Sequence, residues 1–291
     1  MATIEVIAAV LTAAALAHAY FATPLLFWPL VSLVLTAVVL AMHSPLALSR
    51  RMTFLAHAQG HSILTAALAA AVTTALIKGG LTSFYLFVLF FAILLNLSVL
   101  AAGRLGYRED VATGVVMSLQ ITATIALLFV VRMVLPTSVD PLALITGEYV
   151  LVSWSDVLMQ TPFLLISALF PLLYGAKYLY AAIDENYAEA IGLKPRLMDN
   201  LFLISMSVAV AASVYTLGSL MPAVLLVMPG AIAVRYTQSL TRQVPIAVSV
   251  ALISVAVAHF IYTLIPWLWP SAAIGIVLLI LLKPFKKGPP A

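Results

Sequence analysis

The chain has no cysteine and little charge. Without cysteine there is no disulfide framework, no thiolate metal site and no reactive thiol. Any metal ligand must then be histidine, carboxylate or backbone oxygen. Charged residues make up 8% of the chain, against about 25% in an ordinary soluble domain. No polar stretch is long enough to fold as a soluble domain. A Gly-x-x-x-x-Gly-Lys-[Ser/Thr] phosphate loop is missing, so the chain cannot hydrolyse ATP alone. No internal repeat is visible, which counts against an inverted-repeat secondary transporter. The net charge of +4 sits in short loops, where membrane topology accounts for it and nucleic-acid binding is not implied.

What the chain does have is apolar sequence in long runs. Of its 291 residues, 64% are hydrophobic, and the mean hydropathy is +1.17. A spanning helix needs about 20 largely apolar residues. Residues 3–22, 26–43, 50–77, 82–103, 110–134, 158–182, 200–219, 221–237, 244–265 and 270–283 supply ten such segments, of which the eighth and tenth are short. The expectation is an all-α polytopic membrane bundle of about 8–10 helices, forming one transmembrane domain over 1–291. The first segment carries Glu5 and no cationic start, so it reads as a retained helix rather than a signal peptide. His43-Ser44-Pro45 is expected to end the second. Residues 136–157, with Asp140, Glu148 and Asp156, read as an outer loop with a short interfacial helix. Residues 184–199 are the most polar stretch.

Loop cations set the orientation. With the N-terminus inside and helices alternating, the inner side receives Arg50, Arg51, Arg104, Arg108, Lys177, Lys194, Arg196, Arg235, Arg242, Lys283, Lys286 and Lys287. The outer side receives only Lys78 and Arg132. Both termini are therefore expected in the cytoplasm.

The third segment opens on Arg50-Arg51 and places His57 and His61 four apart, on one helix face. At about 1.5 Å per residue the two lie roughly 10 and 16 Å beyond Arg50, near mid-bilayer. Ionisable groups there are costly and mark a pathway or a ligand site by default. Two readings are open: a transient metal pair, or two histidines hydrogen-bonded inside a bundle. His18, His43 and His259 are single. His43, near the inner surface, reads as a snorkelling or capping residue, and His259 sits by an aromatic belt with Tyr262, Trp267 and Trp269. Asn96 and Gln120 read as interhelical hydrogen bonders. Gly218, Pro222, Pro229 and Gly230 read as repaired kinks. The stretch from Asp184 to Gly192 fits a short helix with Asp184 and Glu185 at its start and Gly192-Leu193-Lys194-Pro195 as its stop.

Four stretches, in order, resemble the integral membrane permeases of zinc- and manganese-importing ABC transporters. The first is Arg50-Arg51-Met52-Thr53-Phe54 with the small-residue helix that holds His61. The second is Glu109-Asp110-Val111-Ala112-Thr113-Gly114. The third runs from Leu144 through Gly147 and Ser153 to Asp156. The fourth joins Asp184-Glu185-x-x-Ala188-x-x-x-Gly192 to Leu217-Gly218-x-Leu220 and Pro229-Gly230-Ala231-x-Ala233. The likeness covers about residues 28 to 240. Where the family usually has Asp, four before the histidine, this chain has His57.

The resemblance implies the fold of metal-chelate and cobalamin importer permeases, working as a homodimer in membrane lipid. It implies a separate ABC ATPase subunit and an extracytoplasmic metal-binding protein as partners. It also implies a coupling helix at Asp184, Glu185, Ala188 and Gly192, whose small residues Ala188 and Gly192 face the ATPase. His57 and His61 become ligands of a transported divalent metal, with no permanently bound cofactor. Imidazoles without carboxylate favour zinc over manganese; manganese and iron stay open. Glu148 and Asp156 are candidate outer acids that receive the cation. The alternative is a ten-helix secondary transporter of small metabolites. A membrane prenyl transferase would need a second acidic cluster beside Asp184-Glu185, and none is present.

Overall fold

The computed structural model describes residues 2–50, 52–104, 109–134, 147, 149–219 and 221–282. The described elements are helical. They are α1 (Ala2–Phe21), α2 (Phe27–Ser49), α3 (Thr53–Leu76), α4 (Leu81–Arg104), α5 (Glu109–Val134), α6 (Trp154–Ala181), α7 (Glu185–Ala190), α8 (Pro195–Leu217), α9 (Met221–Tyr236), α10 (Leu240–Leu264) and α11 (Pro270–Leu282). One-turn 3₁₀ segments cover Pro24–Leu26 and Tyr149–Leu151. Among the described residues, six helices are long and apolar enough to cross a membrane, and shorter apolar helices cover Thr82–Ser98, Met221–Tyr236 and Pro270–Leu282. The expected all-helical bundle is therefore present, with short eighth and tenth segments.

Helix α2 is the axis of the bundle, packed against α6, α8, α9 and α10. On one side α3 packs with α4, α5 and α9; on the other α10 packs with α1 and α11. Small residues permit this closeness. Ala37, Ala41 and Ala47 of α2, Ala66, Ala67 and Ala70 of α3, and Ala247 and Ala251 of α10 are fully buried. In lipid, where helix association gains little from hydrophobicity, close backbone approach supplies the dispersion contacts.

The α2–α9 contact is one such close approach. A Cβ built on Gly230 would lie 2.7 Å from the Ser44 carbonyl carbon and 2.8 Å from Pro45 N. The Gly230 N–H donates to Ser44 Oγ at 2.8 Å. This corrects the expected end of the second segment at His43-Ser44-Pro45. Pro45 removes one helical donor, yet the helix continues to Ser49, a defect that packed membrane helices tolerate.

Two further boundaries shift. The sixth segment begins at Trp154 rather than 158, so the outer loop ends earlier than expected. Ser153 donates both its N–H (2.8 Å) and its hydroxyl (2.6 Å) to Asp156 Oδ2, fixing the helix start. Asp156 is 5% exposed, which makes it a capping residue rather than a free outer acid. Glu148 lies outside the described residues. The seventh segment begins at Pro195, not 200, with proline in the first turn, where its missing N–H costs nothing.

Overpacking a close helix contact costs about 1–3 kcal/mol. Gly230→Ala is therefore expected to lower the thermal unfolding temperature of the detergent-purified protein. Gly275→Ala, where an added Cβ meets nothing within 4 Å, is the control and should leave it nearly unchanged.

Candidate functional site

Three polar side chains of helix α3 are bonded to neighbouring helices. Gln59 and Asn96 of α4 form a reciprocal amide pair: Gln59 Nε2 donates to Asn96 Oδ1 at 2.7 Å and Asn96 Nδ2 donates to Gln59 Oε1 at 2.9 Å. Asn96 also donates to Ser207 Oγ of α8 at 2.6 Å. Ser62 donates to Gln120 Oε1 of α5 at 2.8 Å. Thr65 Oγ1 lies 2.7 Å from Thr124 Oγ1 and 3.1 Å from the Gln120 carbonyl. All of these side chains but Thr124 are nearly inaccessible. Asn96 and Gln120 thus act as interhelical hydrogen bonders, as expected.

His57 and His61 belong to the same helix. Residues 58–60 and 62–68 are buried, while His61 between them is half-buried. His57 lies one turn earlier on α3, and its side chain lies outside the described residues. Among the described residues no group of three or more His, Asp or Glu is close enough to hold a metal ion.

The other histidines are built into the bundle. His43 is fully buried, two turns inside α2, because that helix does not stop at Pro45. Its Nδ1 lies 2.8 Å from the Val39 carbonyl and its Nε2 2.8 Å from Ser205 Oγ, which corrects the snorkelling reading. Ser205 and Ser167 of α6 each donate to the other's carbonyl, so His43 completes a polar knot joining α2, α6 and α8. His18 Nδ1 and His259 Nε2 lie 3.1 Å apart and tie α1 to α10. No local signal in the sequence pairs residues 241 positions apart.

At the other end of the bundle lies the α6–α7–α8 excursion. Asp184 caps α7 by accepting from the Tyr187 N–H at 2.9 Å. Gly192, at φ +85°, closes it: its N–H donates to the Glu189 carbonyl and that of Leu193 to Ala188. The sequence places Ala188 and Gly192 on one small face turned to the ATPase; in the structure the two do not share an exposed face. Ala188 is 2% exposed and turned into the permease, whereas Gly192 is exposed. The outward surface is formed instead by Ile183, Tyr187 and Ile191, four apart and each more than half exposed. With Lys177, Tyr180, Asp184 and Leu193 they line a cavity of about 330 Å³.

Sequence reasoning missed the ion pair beside this excursion. Arg50 donates to Asp199 through Nε at 3.0 Å and Nη2 at 2.5 Å, and Tyr178 O–H donates to the same carboxylate at 2.7 Å. The guanidinium lies 5.8 Å from the Tyr178 ring centroid, and Nη1 is 3.7 Å from Glu185 Oε2. Its hydrogen bonds with Asp199 raise the Arg50 pKa above its ordinary value, against the opposing effect of burial.

Residues 22–284 match the ABC-3 family, described as the ABC 3 transport family. The chain belongs to the ABC 3 transport family. Over 214 residues it is 24% identical to the manganese transport system membrane protein MntC of Halalkalibacterium halodurans, covering 71% of this chain and 72% of that one. Over 126 residues it is 29% identical to the chelated iron transport system membrane protein YfeC of Yersinia pestis, spanning 43% of each chain. The fold is similar to PsaBC from Streptococcus pneumoniae, solved in complex with a Fab (TM-score 0.76, 16% identity, 93% of both chains covered). It is also similar to an inward-facing structure assigned to the metal-chelate type of ABC transporter (TM-score 0.70, 13% identity, 97% of this chain and 96% of that one). Membership of the ABC 3 transport family meets the expectation of a multi-pass transport permease rather than an enzyme, and sets aside the secondary transporter.

The burial of Ala188 changes what a substitution in α7 reports. Ala188→Trp should lower thermal stability in detergent by about 1–3 kcal/mol through overpacking. Tyr187→Ala, on the exposed side, should stay within about 0.5 kcal/mol of the parent. Unfolding curves of the two variants check this.

Proposed function

We propose that this member of the ABC 3 transport family is the permease subunit of an importer for a divalent transition metal, with zinc the preferred cargo over manganese or iron. Two copies form the translocation path, a separate ABC ATPase drives it, and an extracytoplasmic metal-binding protein delivers the ion. Both termini face the cytoplasm. The relatives named for manganese and chelated iron transport support the cargo class; the choice of zinc rests on this chain's own residues.

The observation that carries the reading is the division of labour on α3. Gln59 bonds to α4 and Ser62 and Thr65 to α5, while His57 and His61 stand four apart on the same helix. Neutral imidazole nitrogen binds zinc at about 2.0–2.1 Å, and two histidines at i and i+4 can share one ion. A second copy would present a second pair, giving a four-imidazole shell that a single chain does not supply. Nitrogen ligands suit zinc, while manganese prefers oxygen. A carrier must also release its ion, so the site is occupied only in passing.

The exposed Ile183, Tyr187 and Ile191, with the cavity they line, form the surface that receives the ATPase. This shifts the docking face from the pair Ala188 and Gly192 to the apolar side chains between and around them.

Uptake of radioactive zinc and manganese by proteoliposomes holding the permease–ATPase complex tests the reading. His61→Ala is expected to abolish zinc uptake while the complex still assembles. His57→Asp should keep transport and move the preference toward manganese, because carboxylate oxygen is the harder ligand. Full zinc uptake by the His57→Ala, His61→Ala double variant would overturn the assignment.

A further inference from the structure

Arg50 stands at a junction that no local reading of the chain reveals. It follows the last residue of α2 and precedes the start of α3, at Thr53, by three positions. Its partner Tyr178 lies in the last turn of α6, which ends at Ala181, and its partner Asp199 lies near the start of α8, which begins at Pro195. The short helix α7 is the element between those two helices. Both stems of the excursion therefore converge on one guanidinium. Glu185, the first residue of α7, adds a third and longer contact to the same group at 3.7 Å.

We infer that Arg50 is a positioning residue for transport: it transmits displacement of the α6–α7–α8 excursion to α3, the helix that carries His57 and His61. The inference rests on the reading of α3 as the metal-bearing helix and of the excursion as the ATPase-facing one. The geometry supplies the rigidity such a role needs. Asp199 engages two different nitrogens of Arg50, Nε and Nη2, one with each carboxylate oxygen. A fork-to-fork pair fixes relative orientation as well as distance, which a point charge does not. The side chains of Arg50 and Asp199 are 13% and 17% exposed, so the pair is largely withdrawn from the water and salt that would soften it. Tyr178 O–H donates to Asp199 Oδ1, the oxygen that also takes Arg50 Nε, and its ring faces the guanidinium. The short helix α7 packs on α6 and α8, the two helices that carry Tyr178 and Asp199. From Thr53, His57 is one helical turn away.

A plain staple would hold the same four elements together without transmitting anything, and the two roles separate experimentally. Arg50→Lys keeps the charge and loses the fork. Asp199→Asn keeps the shape and the capacity to accept from Tyr178, and loses the charge pairing. Arg50→Leu with Asp199→Leu removes both charges together, so neither is left unpaired. Each is compared with the parent as the assembled permease–ATPase complex in proteoliposomes. ATP hydrolysis and radioactive zinc uptake are recorded in the same sample. Expected are complexes that assemble and hydrolyse ATP near the parent rate, with zinc moved per ATP reduced at least about tenfold. An unchanged zinc-to-ATP ratio in Arg50→Lys and Asp199→Asn overturns the inference and leaves the cluster as a staple. Loss of assembly or of hydrolysis in step with uptake in those two variants has the same consequence. Parent complexes that hydrolyse ATP but move none of zinc, manganese or iron overturn the underlying reading of function instead, so the two failures are told apart by the parent alone.

Discussion

A helix that carries Gln59, Ser62 and Thr65 into apolar surroundings must find a hydrogen-bond partner for each of them. An unpaired buried amide or hydroxyl costs about 1–3 kcal/mol, and no lipid tail can supply the bond. This requirement fixes where α3 lies. Asn96 on α4 and Gln120 and Thr124 on α5 answer its polar groups, and Asn96 carries the network on to Ser207 of α8. His61, on the same helix, is half-buried. The same constraint explains the rest of the polar interior. The knot of His43, Ser167 and Ser205 and the pair of His18 with His259 join helices far apart in sequence, by side chains that would be orphaned if the helices parted.

Proline obeys a related rule. Helix α2 runs through Pro45, and at that point Gly230 of α9 sits against Ser44 without a side chain and gives its N–H to the Ser44 hydroxyl. The proline and the close approach fall at one place. The consequence reaches the site: the extra turn to Ser49 delivers Arg50 to Asp199 and Tyr178, and sets the point from which α3 begins. The packing of α2 on α9 and the anchoring of α3 at its start are thus parts of one construction.

The apolar runs made the helical membrane bundle legible at once, because about 20 apolar residues in succession admit few other structures. Family membership was carried by short polar signatures between those runs. Boundaries were less legible. Pro45 read as a stop because the helix packed against it lies almost 190 residues later. The start of α6 was readable in principle, since Ser153 and Asp156 have the spacing of a capping box, but the acid stood among others that suggested an outer loop. The face of α7 was not readable: six residues give too few turns to reveal which side is buried, and Ala188 and Gly192 looked equivalent although only one is exposed. Arg50 and Asp199, 149 residues apart, leave no periodic trace.

The central claim is that the histidine face of α3 holds the ion in transit. X-ray absorption spectroscopy on the zinc-loaded, purified permease–ATPase complex addresses it directly. The account predicts a shell of imidazole nitrogens at about 2.0–2.1 Å from zinc, lost when His61 is replaced by alanine. A spectrum unchanged by that replacement, or a shell of oxygen ligands alone, would contradict it.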